Sequence, residues 1–139
     1  MIPFSDPSAS YQAHKSEIDK AINRVLDSGW YVLGREVDEF EKEFASFHGK
    51  DLHAIGVANG TDAIALCLRG IDLGIGDEVI TPSHTAVATV AGIEQAGCTP
   101  VFADIDPNTR CISPKSIDER VTTKTRAIMP VHIYGQPAE

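Results

Sequence analysis

At 139 residues and 42% hydrophobic content the chain is long enough for one domain with a core of its own, and its apolar runs are too polar to cross a membrane. A balance of 12 basic against 20 acidic residues leaves a formal charge of −8. That charge opposes electrostatic docking on nucleic acid or on anionic lipid, so any phosphate must be held by local donors.

In chain order, Ile18, Ala21, Ile22, Val25 and Leu26 recur at helical spacing, with Lys15, Glu17, Asp19, Lys20 and Arg24 on the other side. The spacing predicts one amphipathic helix over 11–26, ended by Ser28-Gly29. After the loop G-W-Y-V-L-G a second helix follows, with Val37, Phe40, Phe44 and Phe47 on one face, closing at Gly49. From there the pattern alternates: apolar run 53–58, helix 61–70, run 78–81, helix 85–96, run 100–103, helix 114–121, run 126–131. Strand and helix taking turns predicts an α/β fold with a largely parallel sheet and flanking helices. Gly74-Ile75-Gly76-Asp77 and Asp106-Pro107-Asn108 read as turns. No internal repeat, low-complexity segment or linker divides the chain. The start at Met1 reads as a natural one, whereas the last run has no helix after it to cover a parallel strand, so the chain reads as truncated at Glu139.

Cys67, Cys98 and Cys111 are widely spaced, with no C-x-x-C pair, and no secretory n-region or h-region opens the chain; they read as reduced thiols of a cytoplasmic protein. His14, His48, His53, His84 and His132 show no spacing with cysteine or carboxylate that suits a tetrahedral metal site, and no G-x-S-x-G elbow is present.

Two places carry chemistry. Asn59-Gly60-Thr61 stands between an apolar run and a helix start, where backbone N–H groups lack partners and the helix dipole adds about half a positive charge. With the Thr61 hydroxyl this is an anion site, most usefully one for phosphate; the plainer reading is a turn followed by a capping threonine. His84 follows the run 78–81 and Pro82, on the strand edge where α/β proteins gather ligands, and an imidazole there can lie flat on a planar cofactor. Its plainer reading is a solvated loop histidine.

Taken together, I-P-F-S-D-P, S-G-W-Y-V-L-G followed by Glu39-Phe40-Glu41, V-A-N-G-T-D-A-I, G-D-E-V-I-T-P-S-H-T-A-V-A-T, G-C-T-P-V-F-A-D-I-D-P and A-I-M-P-V-H-I-Y-G-Q-P resemble the DegT/DnrJ/EryC1/StrS aminotransferases in colinear order across the chain. The resemblance implies a fold-type I enzyme, usually a homodimer, that uses pyridoxal 5'-phosphate to move an amino group from glutamate onto a nucleotide-linked keto sugar. Residues 1–139 would be the N-terminal part of its cofactor-binding large domain, with helices and a substrate loop over 1–50 and the first part of the sheet over 51–139. Gly60 and Thr61 match the turn that holds the cofactor phosphate. The family often has an aromatic residue stacked on the cofactor ring where this chain has Ala86, which leaves His84 as the better candidate for stacking.

Trp30, Tyr31 and Gly34 match the loop that approaches the sugar nucleotide, with Tyr31 and Gly34 as substrate-binding candidates; for Trp30 a buried anchor is the rival reading. His132 and Tyr134 match a stretch near the cofactor, where an interior, satisfied histidine is the plainer account of His132. Cofactor chemistry of this kind needs a lysine to form the Schiff base and a carboxylate for the pyridine nitrogen, and in the family both lie beyond Y-G-Q-P. Lys15, Lys20, Lys42, Lys50, Lys115 and Lys124 all sit on polar faces or in turns, so no catalytic lysine is assigned in this chain; Asp104 and Asp106 read as strand-end and turn residues. Some family members carry histidine in place of the lysine and dehydrate the sugar instead. A non-catalytic phosphate-binding or interaction module is the rival from another class.

Overall fold

Asp6-Pro7 combines an N-terminal cap with a residue whose φ is already helical. In the computed structural model, which describes residues 4–139, helix α1 accordingly spans Pro7–Ala13, and the Asp6 carboxylate accepts the Ala9 N–H at 3.1 Å. Ile2 and Pro3 of the I-P-F-S-D-P stretch lie outside the described residues. The single helix predicted over 11–26 is therefore two. The backbone leaves helical geometry at His14 (φ −117°, ψ 14°) and resumes as α2, Lys15–Ser28. Across the break the Tyr11 hydroxyl donates to Asp19 Oδ1 at 2.8 Å and Lys15 pairs with the same carboxylate. The Lys15 hydrogen bond, and after it that of Tyr11, holds Asp19 below the usual carboxylate range. Apolar spacing could not show this break, because the signals that start α1 lie before the periodic stretch.

Helix α2 ends on Gly29 in the left-handed conformation (φ +67°), as Ser28-Gly29 predicts. Helix α3, Arg35–His48, is joined to α2 by Arg24, whose guanidinium donates to both Glu36 carboxylate oxygens at 2.7 and 2.9 Å. After α3 the chain is tied back by the Glu41 carboxylate, which accepts the Gly56 N–H at 2.6 Å. The residues up to Gly56 make one compact unit and Val57–Glu139 a second. Among the described residues no side chain of α1, α2 or α3 is buried; Phe40 and Phe44 stay about half exposed and Phe47 is 85% exposed. The apolar run 53–58 is not a strand. A strand exists through hydrogen bonds to a neighbour, and no described strand pairs with this run, so Ile55 stays 82% exposed.

The second unit is the α/β body. Helix α4 (Gly60–Gly70), strand β1 (Glu78–Pro82), helix α5 (Val87–Gln95), strand β2 (Thr99–Ala103), helix α6 (Pro114–Arg120) and strand β3 (Thr125–Ile128) follow in turn. The strands form a parallel sheet of order β2-β1-β3, with Ile80 opposite Val101 on one side and Ile128 on the other. Because side chains alternate along a strand, β1 feeds two cores. Val79 meets Ala65, Leu68 and Ile93 of α4 and α5, while Ile80 meets Ala103, Ile112 and Ile117 beside α6. Each of Val79, Ile80 and Ile93 is completely buried, a contribution of about 1.5–3 kcal/mol apiece.

Two boundaries differ from the spacing. Helix α5 starts at Val87 rather than near Thr85, because Ala86 is extended (ψ 143°) and the Thr85 hydroxyl is engaged with that of Thr89 at 2.7 Å. Strand β3 stops at Ile128; the Met129 N–H still reaches the Ile80 carbonyl at 2.8 Å, and Pro130 then has no N–H to continue. The turn residue Asp106 accepts the Asn108 N–H at 2.7 Å and the Thr109 N–H at 3.1 Å through Oδ1.

All three cysteines are free thiols, with Cys67 exposed and Cys98 and Cys111 buried. Burial, and then the charge of Asp77, pushes the Cys98 thiol up from its ordinary range. Since the thiolate is the reacting species, a thiol reagent applied to the native chain labels Cys67 fast and Cys98 and Cys111 only after denaturant is added. Peptide mapping of the labelled chain checks the assignment; rapid native labelling of Cys98 would contradict the packing described.

Candidate functional site

A helix leaves its first N–H groups without intrahelical partners, and α4 does so immediately after Asn59. Asn59 is extended (φ −162°, ψ 170°); its Oδ1 accepts the Asp62 N–H at 2.9 Å, and its Nδ2 donates to Asp62 Oδ2 at 2.8 Å. The cap is thus asparagine, not the threonine of the plainer reading, and the Thr61 hydroxyl takes no part in it. Among the described residues the N–H groups of Gly60 and Thr61 have no hydrogen-bond partner. A Cβ built on Gly60 would meet open space. Two free N–H groups, a hydroxyl and the positive end of a helix make a cradle for an anion. The nearby Asp62 carboxylate opposes an anion, but Asn59 Nδ2 and, at 3.2 Å, Gln95 Nε2 of α5 both donate to it and offset part of its charge.

Helix α5 also fixes where this first turn lies. A Cβ at Gly92 would fall 2.7 Å from Ile64 Cγ2 and 2.9 Å from the Thr61 carbonyl oxygen, so only glycine permits the observed approach of α5 to α4. Arg69, near the end of α4, donates to the Gln95 carbonyl. Neither Gly92 nor Gln95 stands out in the sequence; the small-residue content of α5 was the available signal.

His84 lies in the turn after β1 and is partly buried. The structure brings it against Tyr134, with ring centroids 5.8 Å apart and an interplanar angle of 63°. Tyr134 belongs to a single 3-10 turn, Ile133–Gly135, and is itself 76% exposed. His132 is exposed rather than interior, because β3 has ended before it; its Nδ1 accepts the Ala138 N–H at 2.9 Å.

Tyr31 and Gly34 belong to the first unit. Gly34 is buried and precedes α3, and the Trp30 carbonyl oxygen stands 2.7 Å from where its Cβ would be, which accounts for glycine there. The Tyr31 hydroxyl donates to the Leu26 carbonyl at 3.4 Å. Trp30 is 61% exposed, so it is not a buried anchor: no layer of this unit covers the loop. Trp30, Tyr31, Gly34, Arg24 and Arg35 line a concavity of about 480 Å³.

Every lysine of the chain is exposed, and Lys15 is pushed up, not down, by its hydrogen bond to Asp19. Among the described residues no cluster of three histidines, cysteines or carboxylates is disposed to hold a metal, and no helix is long and apolar enough to cross a membrane.

Compared with known proteins, residues 12–139 match the family model of the DegT/DnrJ/EryC1/StrS aminotransferase family. The chain is 50% identical over 139 residues to a dTDP-3-amino-3,6-dideoxy-alpha-D-galactopyranose transaminase of Aneurinibacillus thermoaerophilus, which takes in 100% of this chain and 38% of that protein. The crystal structure of S. venezuelae DesV in complex with a ketimine intermediate superposes with a TM-score of 0.93 at 46% identity, over 99% of this chain and 37% of that one. NtdA from Bacillus subtilis with bound cofactor PMP superposes with a TM-score of 0.84 at 34% identity, over 91% and 29%. The chain therefore spans well under half the length of these relatives.

Two substitutions test the construction of the cradle. Asn59→Ala removes the cap and lowers unfolding free energy by about 1 kcal/mol. Gly92→Ala gains up to about 1 kcal/mol in helix propensity yet loses about 1–3 kcal/mol to overpacking against backbone, so a net loss is expected in urea denaturation. Gly70→Ala, where a Cβ meets nothing within 4 Å, is the control and does not destabilise.

Proposed function

The chain belongs to the DegT/DnrJ/EryC1/StrS aminotransferase family, and from that premise we propose that it forms the phosphate-binding turn and part of the cofactor cleft of a pyridoxal 5'-phosphate-dependent sugar-nucleotide aminotransferase. The observation that carries the reading is the pair of unpartnered N–H groups at Gly60 and Thr61, set at the start of α4 with open space before them. They fit a phosphate group. A phosphate held there takes hydrogen bonds from both N–H groups and from the Thr61 hydroxyl, while Asn59 and Gln95 donate to the Asp62 carboxylate and offset part of its charge.

His84, after the carboxyl end of β1, presents its imidazole to the planar ring of the cofactor. When bound, the cofactor supplies the electron sink that lets an amino group move between donor and sugar; the protein's part is to orient it. In this reading residues 1–139 are the N-terminal part of the cofactor-binding domain, and the exposed lysines leave the covalent attachment of the cofactor to a residue not assigned in this chain. Tyr31 and Gly34 contribute to the site of a nucleotide-linked keto sugar, glutamate is the amino donor, and the working enzyme is a homodimer. Three free thiols support a cytoplasmic location.

The test is a titration of the isotope-labelled chain with pyridoxal 5'-phosphate, followed by amide spectra. The Gly60 and Thr61 amides shift first, and Thr61→Ala weakens binding about tenfold, the loss of one hydrogen bond to a charged group. Borohydride then leaves no stable adduct on a single lysine. Gly60 and Thr61 amides that stay fixed while others move, or one stoichiometrically reduced lysine, would overturn the assignment.

A further inference from the structure

We infer that Tyr134 is a positioning residue for His84, and that the turn carrying it is built to hold the two rings together; the inference rests on the reading of His84 as the residue that faces the cofactor ring. The strands β1 and β3 are parallel neighbours, so the segments leaving their carboxyl ends emerge side by side. One carries His84 and the other Tyr134, and the rings meet 5.8 Å apart at 63°, within the range of edge-to-face aromatic contacts.

The backbone that carries Tyr134 is strained. Tyr134 has φ 54° and ψ 20°, the left-handed region that bulky residues avoid, and Gly135 follows at φ 80°. Strain of that kind persists only where the surroundings over-determine it. Here the turn is tied at both ends. The Gly135 N–H donates to the His132 carbonyl at 3.2 Å and the Gln136 N–H to that of Ile133 at 2.9 Å. His132 Nδ1 accepts the Ala138 N–H at 2.9 Å, and the buried Cys111 thiol faces the Gln136 and Pro137 carbonyls at 3.6 and 3.7 Å. Burial of the tyrosine ring cannot be what this arrangement gains, because the residue is 76% exposed. The ring contact this turn does make is the one with His84. It restricts rotation of the imidazole and so selects the face that the ring presents at the sheet edge. His132 is tied into this turn through its Nδ1.

The experiment compares the wild-type chain with Tyr134→Phe, Tyr134→Leu and Tyr134→Gly by NMR of the histidine ring protons. Wild type and Tyr134→Phe show cross-relaxation between the two rings and a ring-current displacement of His84; Tyr134→Leu, with the same backbone preference but no ring, loses the displacement. Tyr134→Gly relieves the left-handed strain, so it removes the ring without adding a backbone penalty, and it loses the displacement as well. Dissociation constants for pyridoxal 5'-phosphate then rise severalfold in Tyr134→Leu and Tyr134→Gly and return in Tyr134→Phe. Unchanged His84 resonances in the leucine and glycine variants overturn the ring contact. Unchanged affinity, with the contact proved, overturns the positioning role. A wild-type chain that binds no pyridoxal 5'-phosphate defeats the reading of the site, while the ring measurement still decides the contact.

Discussion

Helix α5 can lie on the first turn of α4 only because residue 92 has no Cβ. This close approach sets the rest of the α/β body. It lets Ile93 descend fully into the core with Ala65, Leu68 and Val79, and it sets the Thr61 carbonyl against the backbone of α5. The same contact therefore fixes both the hydrophobic layer on one face of the sheet and the direction in which the Gly60 and Thr61 N–H groups point. Interiors are packed as tightly as organic crystals, so a displacement at Gly92 cannot be absorbed locally and must pass to the turn above it. The geometry of the proposed anion cradle is therefore set by the core beneath it.

Periodicity was enough to find most of the second unit. The runs that became β1 and β2 and the helices α4 and α6 lie close to where apolar spacing puts them, because each has a partner layer in the same unit and pattern agrees with packing. It failed where the outcome depends on a neighbour or on a cap. The run 53–58 has the composition of a strand and no described strand beside it. Helix α1 owes its start to Asp6 and Pro7, which no hydrophobic period reports. Of the site, Asn59-Gly60-Thr61 was legible as a turn with free donors, but the division of labour was not: asparagine caps and threonine stays available. Gly92, Gln95 and the ring contact of His84 with Tyr134 are products of three-dimensional approach, and no single residue type or spacing announces them.

The two units differ in how far they are stabilised by their own residues. In the second, side chains of β1 are buried on both faces. In the first, helices α2 and α3 are joined by a two-bonded Arg24–Glu36 pair and end on Gly29 and Gly49, with no buried side chain among the described residues of either helix. Exposed ion pairs are screened by solvent and add little to stability, so such a unit has little cohesion to offer by itself. Its half-exposed phenylalanines, and Trp30 and Tyr31, are apolar surface without a layer over it.

Charge bears on why the proposed cradle is made of backbone. The chain carries a net −8, and not one of its lysines approaches Asn59-Gly60-Thr61 in sequence. The net charge of this chain gives a dianion no long-range attraction, so a phosphate at the proposed site is held by donors whose strength does not depend on net charge. Helix-end N–H groups are such donors: they carry partial positive charge, cannot be titrated away, and are aligned before the ligand arrives. The cost is the neighbouring Asp62 carboxylate, and the hydrogen bonds from Asn59 and Gln95 to it are the means by which the fold offsets that cost. Asn59 thus does two things with one side chain. Its oxygen closes the helix by taking the Asp62 N–H, and its nitrogen donates to the neighbouring Asp62 carboxylate.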